Sequence, residues 1–231
     1  MKLINASVFA GFLSTAAMAF GGSFVIDNFS CADSVSVTVP GGNSFISCPG
    51  SIGGEREDFF VFLSGPSDSV STINSNPPAG AITGTFGPGI TGYAGMGWSG
   101  STSAWDLNLD FVGDSLLVQI QSDFGGTLDA FLFSGAIQSF PTNFLGFSAP
   151  FSGKPGYQDV LIPLTHPTVE GTGANQGDVD AFLLDISLDT AGGTFTIDGV
   201  TAVPEPSTLL LTGFCFLGIL TRSIRRRSVR Q

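Results

Sequence analysis

Residues 104–133 read AWDLNLDFVGDSLLVQIQSDFGGTLDAFLF. Three apolar-rich stretches, 104–111, 115–121 and 127–133, are separated by Val112-Gly113-Asp114 and by Asp123-Phe124-Gly125-Gly126. Turn residues between runs of strand length are the signature of successive β-strands. In the first stretch Trp105, Leu107, Leu109 and Phe111 alternate with Asp106, Asn108 and Asp110. That period of two gives a strand one apolar and one polar face. No 3.6-residue apolar period competes with it.

The same pattern extends outward. Residues 34–39 alternate through Val35, Val37 and Val39, and 59–63 form a continuous apolar run that reads as a central strand. Residues 64–103 turn to Gly, Ser, Pro and Thr, with weak strands at 81–86 and 91–98. Further strands are expected at 136–147, 157–163, 179–188 and 194–202. Abundant Gly, Ser, Thr, Val and Phe, with few strong helix formers, is β composition. Roughly ten to twelve short strands at this spacing predict an all-β fold, a single jelly-roll-like β-sandwich domain.

Both ends read as segments outside that domain. Lys2 precedes a small and apolar stretch over 3–19, and Ala17-Met18-Ala19 places small residues where a signal peptidase reads, predicting cleavage before Phe20. At the other end Pro204-Glu205-Pro206 precedes an apolar run over 209–220, followed by Arg222, Arg225, Arg226, Arg227 and Arg230. A comfortable membrane span needs about 20 apolar residues, so this run is a marginal one. Its arginines would stay on the cytoplasmic side. An ordinary tail anchor is the alternative. The expected organisation is therefore 1–19 signal peptide, 20–202 β-sandwich domain and 203–231 tail.

The order of tripeptide, apolar run and basic cluster resembles the PEP-CTERM sorting tail of exported bacterial proteins. The resemblance implies recognition and processing by an exosortase, with Pro204, Glu205, Pro206, Arg225, Arg226 and Arg227 as the sorting motif. A looser resemblance to such proteins extends into the domain through Phe24-Val25-Ile26-Asp27-Asn28-Phe29, Gly53-Gly54-Glu55-Arg56 and Phe195-Thr196-Ile197-Asp198. The last of these is also similar to the closing strand of galactose-binding-like and carbohydrate-binding jelly-rolls, which implies fold rather than ligand.

Charge narrows the partners. The chain carries 8 bases and 19 acids. Six of those bases and one acid lie in the terminal segments, leaving Arg56 and Lys154 as the only lysine or arginine charges against eighteen carboxylates. Such a body repels nucleic acid, whose binding depends on phosphate neutralisation, and it favours divalent cations. Cys31 and Cys48, seventeen residues apart in an exported chain, are expected to form a disulfide.

Enzyme chemistry finds little support. The lone histidine, His166, lies between Thr165 and Pro167 in an expected loop, and no serine has a nucleophile-elbow context. Gly87-Pro88-Gly89-Ile90-Thr91-Gly92 has the spacing of a dinucleotide loop but lacks the following helix the chemistry requires. Asp106, Asn108 and Asp110 offer three oxygen ligands for calcium, a set too small by itself; otherwise no cofactor is expected. Trp98 and Tyr93, in the glycine-rich segment, are expected to be exposed candidates for stacking on sugar rings. The expected protein is a non-catalytic surface or extracellular-matrix component that passes through the inner membrane and associates with exopolysaccharide. The alternative is a secreted carbohydrate-binding module or a glycan-active hydrolase.

Overall fold

The structure, a computed structural model, describes residues 23–38, 41–75, 80–99, 107, 109–112, 114–134 and 143–204. Its folded body is Ser23–Val203. The architecture among the described residues is all-β, two seven-stranded antiparallel sheets with one 3₁₀ turn at Ile52–Gly54. The first sheet orders β11 (Lys154–Pro163), β8 (Asp114–Ser122), β14 (Gly193–Pro204), β6 (Ile82–Phe86), β5 (Ser71–Ser75) and β2 (Asp33–Val37). Its seventh strand, β1 (Phe24–Asp27), pairs with the far half of β14. The second sheet orders β12 (Thr168–Glu170), β10 (Phe144–Phe151), β9 (Gly126–Phe133), β13 (Ala181–Leu188), β7 (Thr91–Ser99), β4 (Glu55–Ser64) and β3 (Gly41–Ser47).

The pleat explains the core. Leu116, Val118 and Ile120 of β8 are buried, as are Leu128, Ala130 and Leu132 of β9 and Phe182, Leu184 and Ile186 of β13. Alternate residues of each strand thus fill the space between the sheets, as in other sandwiches. Phenylalanine supplies much of the volume: Phe60 meets Phe86 edge-on at 5.5 Å, and Phe86 lies 6.2 Å from Phe195. Trp98 stacks on Phe182 at 5.0 Å between ring centroids, with planes 9° apart.

The jelly-roll-like sandwich expected from the strand spacing is the fold observed, with local corrections. Of the strand expected over 104–111, residues 104–106 and 108 lie outside the described residues. The remainder is not a sheet strand: Leu109 forms an isolated bridge with Val179, and Phe111 N–H donates to the Gln176 carbonyl at 2.8 Å. Its alternation instead packs Leu107, Leu109 and Phe111 against the core beside the entry to β13. Of the strand expected at 136–147, residues 136–142 lie outside the described residues, and 144–147 open β10, Phe144–Phe151. Sequence reasoning overlooked β5, whose STINS segment has a single apolar residue, because its inward serines serve a polar interior rather than an apolar one.

Cys31 and Cys48 are joined, with Cα atoms 5.6 Å apart, tying the approach to β2 to the end of β3. At Gly53, φ is 73° and a Cβ would overlap the Ser99 carbonyl. Only glycine fits this turn into β4. Replacing both cysteines by alanine is expected to remove about 3 kcal/mol of stability by freeing the unfolded chain, measurable as a lower urea midpoint; unchanged midpoints would contradict the role.

Candidate functional site

Two polar features stand out, one inside the sandwich and one on its outer face. The inner one is Arg56, fully enclosed in β4. Its Nε donates to Asp58 Oδ1 at 2.9 Å and its Nη2 to Asp58 Oδ2 at 3.1 Å, a two-pronged pair. Nη1 reaches Asp27 Oδ2 in β1 at 3.1 Å, and Nη2 also donates to Ser75 Oγ at 2.9 Å. The Trp98 indole N–H donates to the same Asp27 oxygen at 2.9 Å. Phe29 completes the enclosure, its ring centroid 5.2 Å from the guanidinium carbon, a cation–π distance. That ring is presented by backbone at φ 51°, held by an Asp27 Oδ1 bond from the Phe29 N–H. Ser75 accepts from Asp33 N–H and donates to the Cys31 carbonyl, linking the cluster to the disulfide.

Burial opposes the Arg56 charge, yet Asp58 and Asp27 outweigh it and hold the guanidinium above its ordinary range. Burial also pushes Asp58 up, to about 7, with Arg56 pulling the other way. The cluster is closed and satisfied, which makes it structural.

The outer face of the second sheet is different. Directly opposed residues of antiparallel strands share a face, so the register defines rows across it. One row runs Asn43–Phe59–Gly95–Asp185–Asp129–Ser148 over six strands. The next runs Glu57–Gly97–Leu183–Phe131–Gly146–Thr168. Five strand spacings make each row about 24 Å long. Phe59 lies down onto Gly95, where a Cβ would overlap both its ring and Asp185. Phe131 meets Phe144 edge-on at 5.4 Å. Phe59 and Phe131 are thus seated against glycines and remain half-exposed.

Asp129 and Asp185 stand directly opposite each other at the centre of this face. Asp129 accepts a hydrogen bond from Ser148 Oγ, while Asp185 Oδ1 is buried with no hydrogen-bond partner. Burial, reinforced by Asp129, raises Asp185 from the ordinary 3.8 to about 7. Glu57, on the same face, is also raised by burial, against a bond from Asn43 Nδ2 at 2.6 Å. A glycosidase pair flanks its bond from opposite sides, whereas these two carboxyls project together from one sheet face.

The other expected site residues fare unevenly. Trp98 is not a glycan platform: it is 1% exposed, stacked on Phe182 and bonded to Asp27. Its indole N–H found a buried acceptor, so the glycine-rich context does not expose it. Tyr93 does lie on the outer face, half-exposed, in register with Ser187 and Val61. Asp106 and Asn108 lie outside the described residues; Asp110 is exposed and accepts from Val112 N–H at 2.9 Å. Among the described residues no group of three or more His, Cys, Asp or Glu is arranged to hold a metal. Residues 87–90 form a turn between β6 and β7, with Ile90 N–H on the Gly87 carbonyl. His166 sits at φ 60° in the turn after β11. Pro204 ends β14, while Ala17, Ala19, Glu205, Pro206, Arg225, Arg226 and Arg227 lie outside the described residues. Among the described residues no helix is long and apolar enough to cross a membrane.

The chain carries a PEP-CTERM protein-sorting motif over residues 202–227. This implies an exported protein addressed to an exosortase. No curated protein resembles the chain significantly in sequence. In strand arrangement it is similar to a family 11 carbohydrate-binding module from Clostridium thermocellum in complex with a β-1,3-1,4-mixed-linked tetrasaccharide. That likeness has 12% identity and TM-score 0.42, covering 79% of this chain and 96% of that one. It is similar also to a family 30 carbohydrate-binding module of a cellulosomal cellulase of Clostridium thermocellum, at 11% identity and TM-score 0.46, covering 81% and 100%. A family 29 module from Piromyces equi matches at 10% identity and TM-score 0.36, covering 74% and 89%. Likenesses this distant say nothing about ligand.

Two predictions follow from the charges. Arg56→Met leaves Asp27 and Asp58 buried without their cation and is expected to cost about 3–5 kcal/mol, read from denaturant unfolding. Asp185 binds its proton more tightly folded than unfolded, so its contribution is full at acid pH and is lost as pH rises from about 4 to about 7. Asp185→Asn should therefore raise the melting temperature in mildly alkaline buffer and change it little in acid; equal shifts at both would contradict the assignment.

Proposed function

We propose that this protein is a non-catalytic surface or extracellular-matrix component, sorted and processed at its tail by an exosortase and associated with extracellular polysaccharide. The observation that carries the reading is the position of the sorting motif. It begins at residue 202, inside β14, and Pro204 is that strand's last residue. The Pro204-Glu205-Pro206 tripeptide thus follows the folded body without a linker, and processing beyond it leaves every paired strand intact. In this reading residues 1–19 are removed as a signal peptide, and the tail holds the protein transiently at the inner membrane before release to the surface.

A second reading, a secreted carbohydrate-binding module, is favoured by the outer face of the second sheet. Half-exposed aromatic rings offer apolar surface to sugar rings, and the carboxylates beside them accept hydrogen bonds from hydroxyls. The two readings are compatible: the tail supplies the address and the face supplies the attachment.

Fractionation with mass spectrometry of the mature ends, in cells with and without the exosortase, tests the proposal. With the enzyme, the chain should begin near Phe20, end near the tripeptide and leave the inner membrane. Without it, the tail-bearing form should stay there. Cytosolic protein retaining both Met1 and Gln231 would overturn the reading.

A further inference from the structure

The outer face of the second sheet carries one sign of charge. Register places Glu57, Asp129 and Asp185 on its two central rows, with Glu55 and Glu170 on the row toward one end. No described cation answers them. Arg56 points into the sandwich, while Lys154 belongs to β11 of the first sheet and His166 to the turn after it. The groups packed around Asp185 add no positive charge: Asp129 from β9, Ser148 beyond it on β10, Phe59 and Glu57 from β4, and Gly95 flanked by Tyr93 on β7.

We propose that the glycan this face takes bears protonated amines: an amino-sugar polymer laid along the rows. The inference rests on the polysaccharide reading above and names its chemical class. Three observations converge on it. An anionic polymer is repelled by five carboxylates. A neutral one offers no charge to set against the Asp129–Asp185 pair and would force proton uptake as it buries them further. An ammonium docked against this half-exposed pair opposes their mutual repulsion. The rings of Phe59 and Phe131 add faces on which both sugar and ammonium are favoured. A row about 24 Å long exceeds a single sugar and suits an extended chain.

The test uses the full chain in a mild neutral detergent, titrated calorimetrically with a fully deacetylated glucosamine hexamer and with an N-acetylglucosamine hexamer. The cationic hexamer is expected to bind at least about tenfold more tightly. Asp185→Asn and Asp129→Asn should each weaken it about tenfold. Asp159→Asn, the same charge change at an exposed site on the first sheet, should shift it by no more than about twofold. Equal binding of both hexamers would overturn the amine assignment and leave the polysaccharide reading standing. Binding of neither hexamer would sink both. If Asp159→Asn weakened binding as much as Asp185→Asn, the attraction would be net charge alone and the site would be wrong.

Discussion

A single guanidinium sets the terms for this fold. Arg56 is enclosed between the sheets, where an unpaired charge is prohibitively costly. The structure therefore has to deliver two carboxylates, a hydroxyl and an aromatic face to one point. They come from β1 and the residues after it (Asp27 and Phe29), from β4 (Asp58) and from β5 (Ser75), while Trp98 of β7 holds Asp27 in place. β1 and β5 belong to the first sheet, β4 and β7 to the second. The cluster is thus a directional clamp across a sandwich whose core packing is largely apolar and non-directional. The neighbouring disulfide restrains the same corner, because Ser75 bridges Arg56 to the Cys31 carbonyl.

The clamp also fixes the outer face. Glu55, Arg56, Glu57, Asp58, Phe59 and Phe60 are consecutive in β4, and the pleat sends them alternately outward and inward. A one-residue slip would bury Glu57 and Phe59 and expose Arg56. Because the guanidinium cannot move without abandoning its partners, Phe59 is held over Gly95 and Glu57 beside Gly97. The register of β4 on β7 then carries the rows onward to Asp185 and Asp129. Interior charge pairing and exterior charge patterning are two sides of one strand.

What was legible in the sequence was whatever depends on neighbours along the chain. Alternation in 115–121, 127–133 and 179–188 located β8, β9 and β13, and the turn residues between runs located their ends. Interactions across large separations were not legible. Trp98 sits in a glycine-rich stretch and reads as exposed; its partner Asp27 is 71 residues away. Phe59 sits in an apolar run that reads as a central strand, which β4 is, but the run did not tell which residues face out: Phe60 faces the core while Phe59 and Val61 face outward. The segments around Asp27-Asn28-Phe29 and Gly53-Gly54-Glu55-Arg56 could be marked as motifs without a reason for their presence together. The reason is the Arg56 pair, which only the fold brings into view.

The ends of the body follow from the same topology. Phe24 is paired with Ala202, so the first and last strands are neighbours and the body's two chain ends lie side by side. β14 is an interior strand: β6 pairs its first half, β1 its last, and β8 lies along its other side. A pull transmitted through Pro204 therefore meets hydrogen bonds on both flanks of the strand it loads, rather than peeling an edge. β1 in turn is fastened by the Asp27–Arg56 pair, which ties the partner of β14's last residues to the buried guanidinium. Under the proposed sorting, a sandwich built this way keeps its last strand paired while the tail is handled.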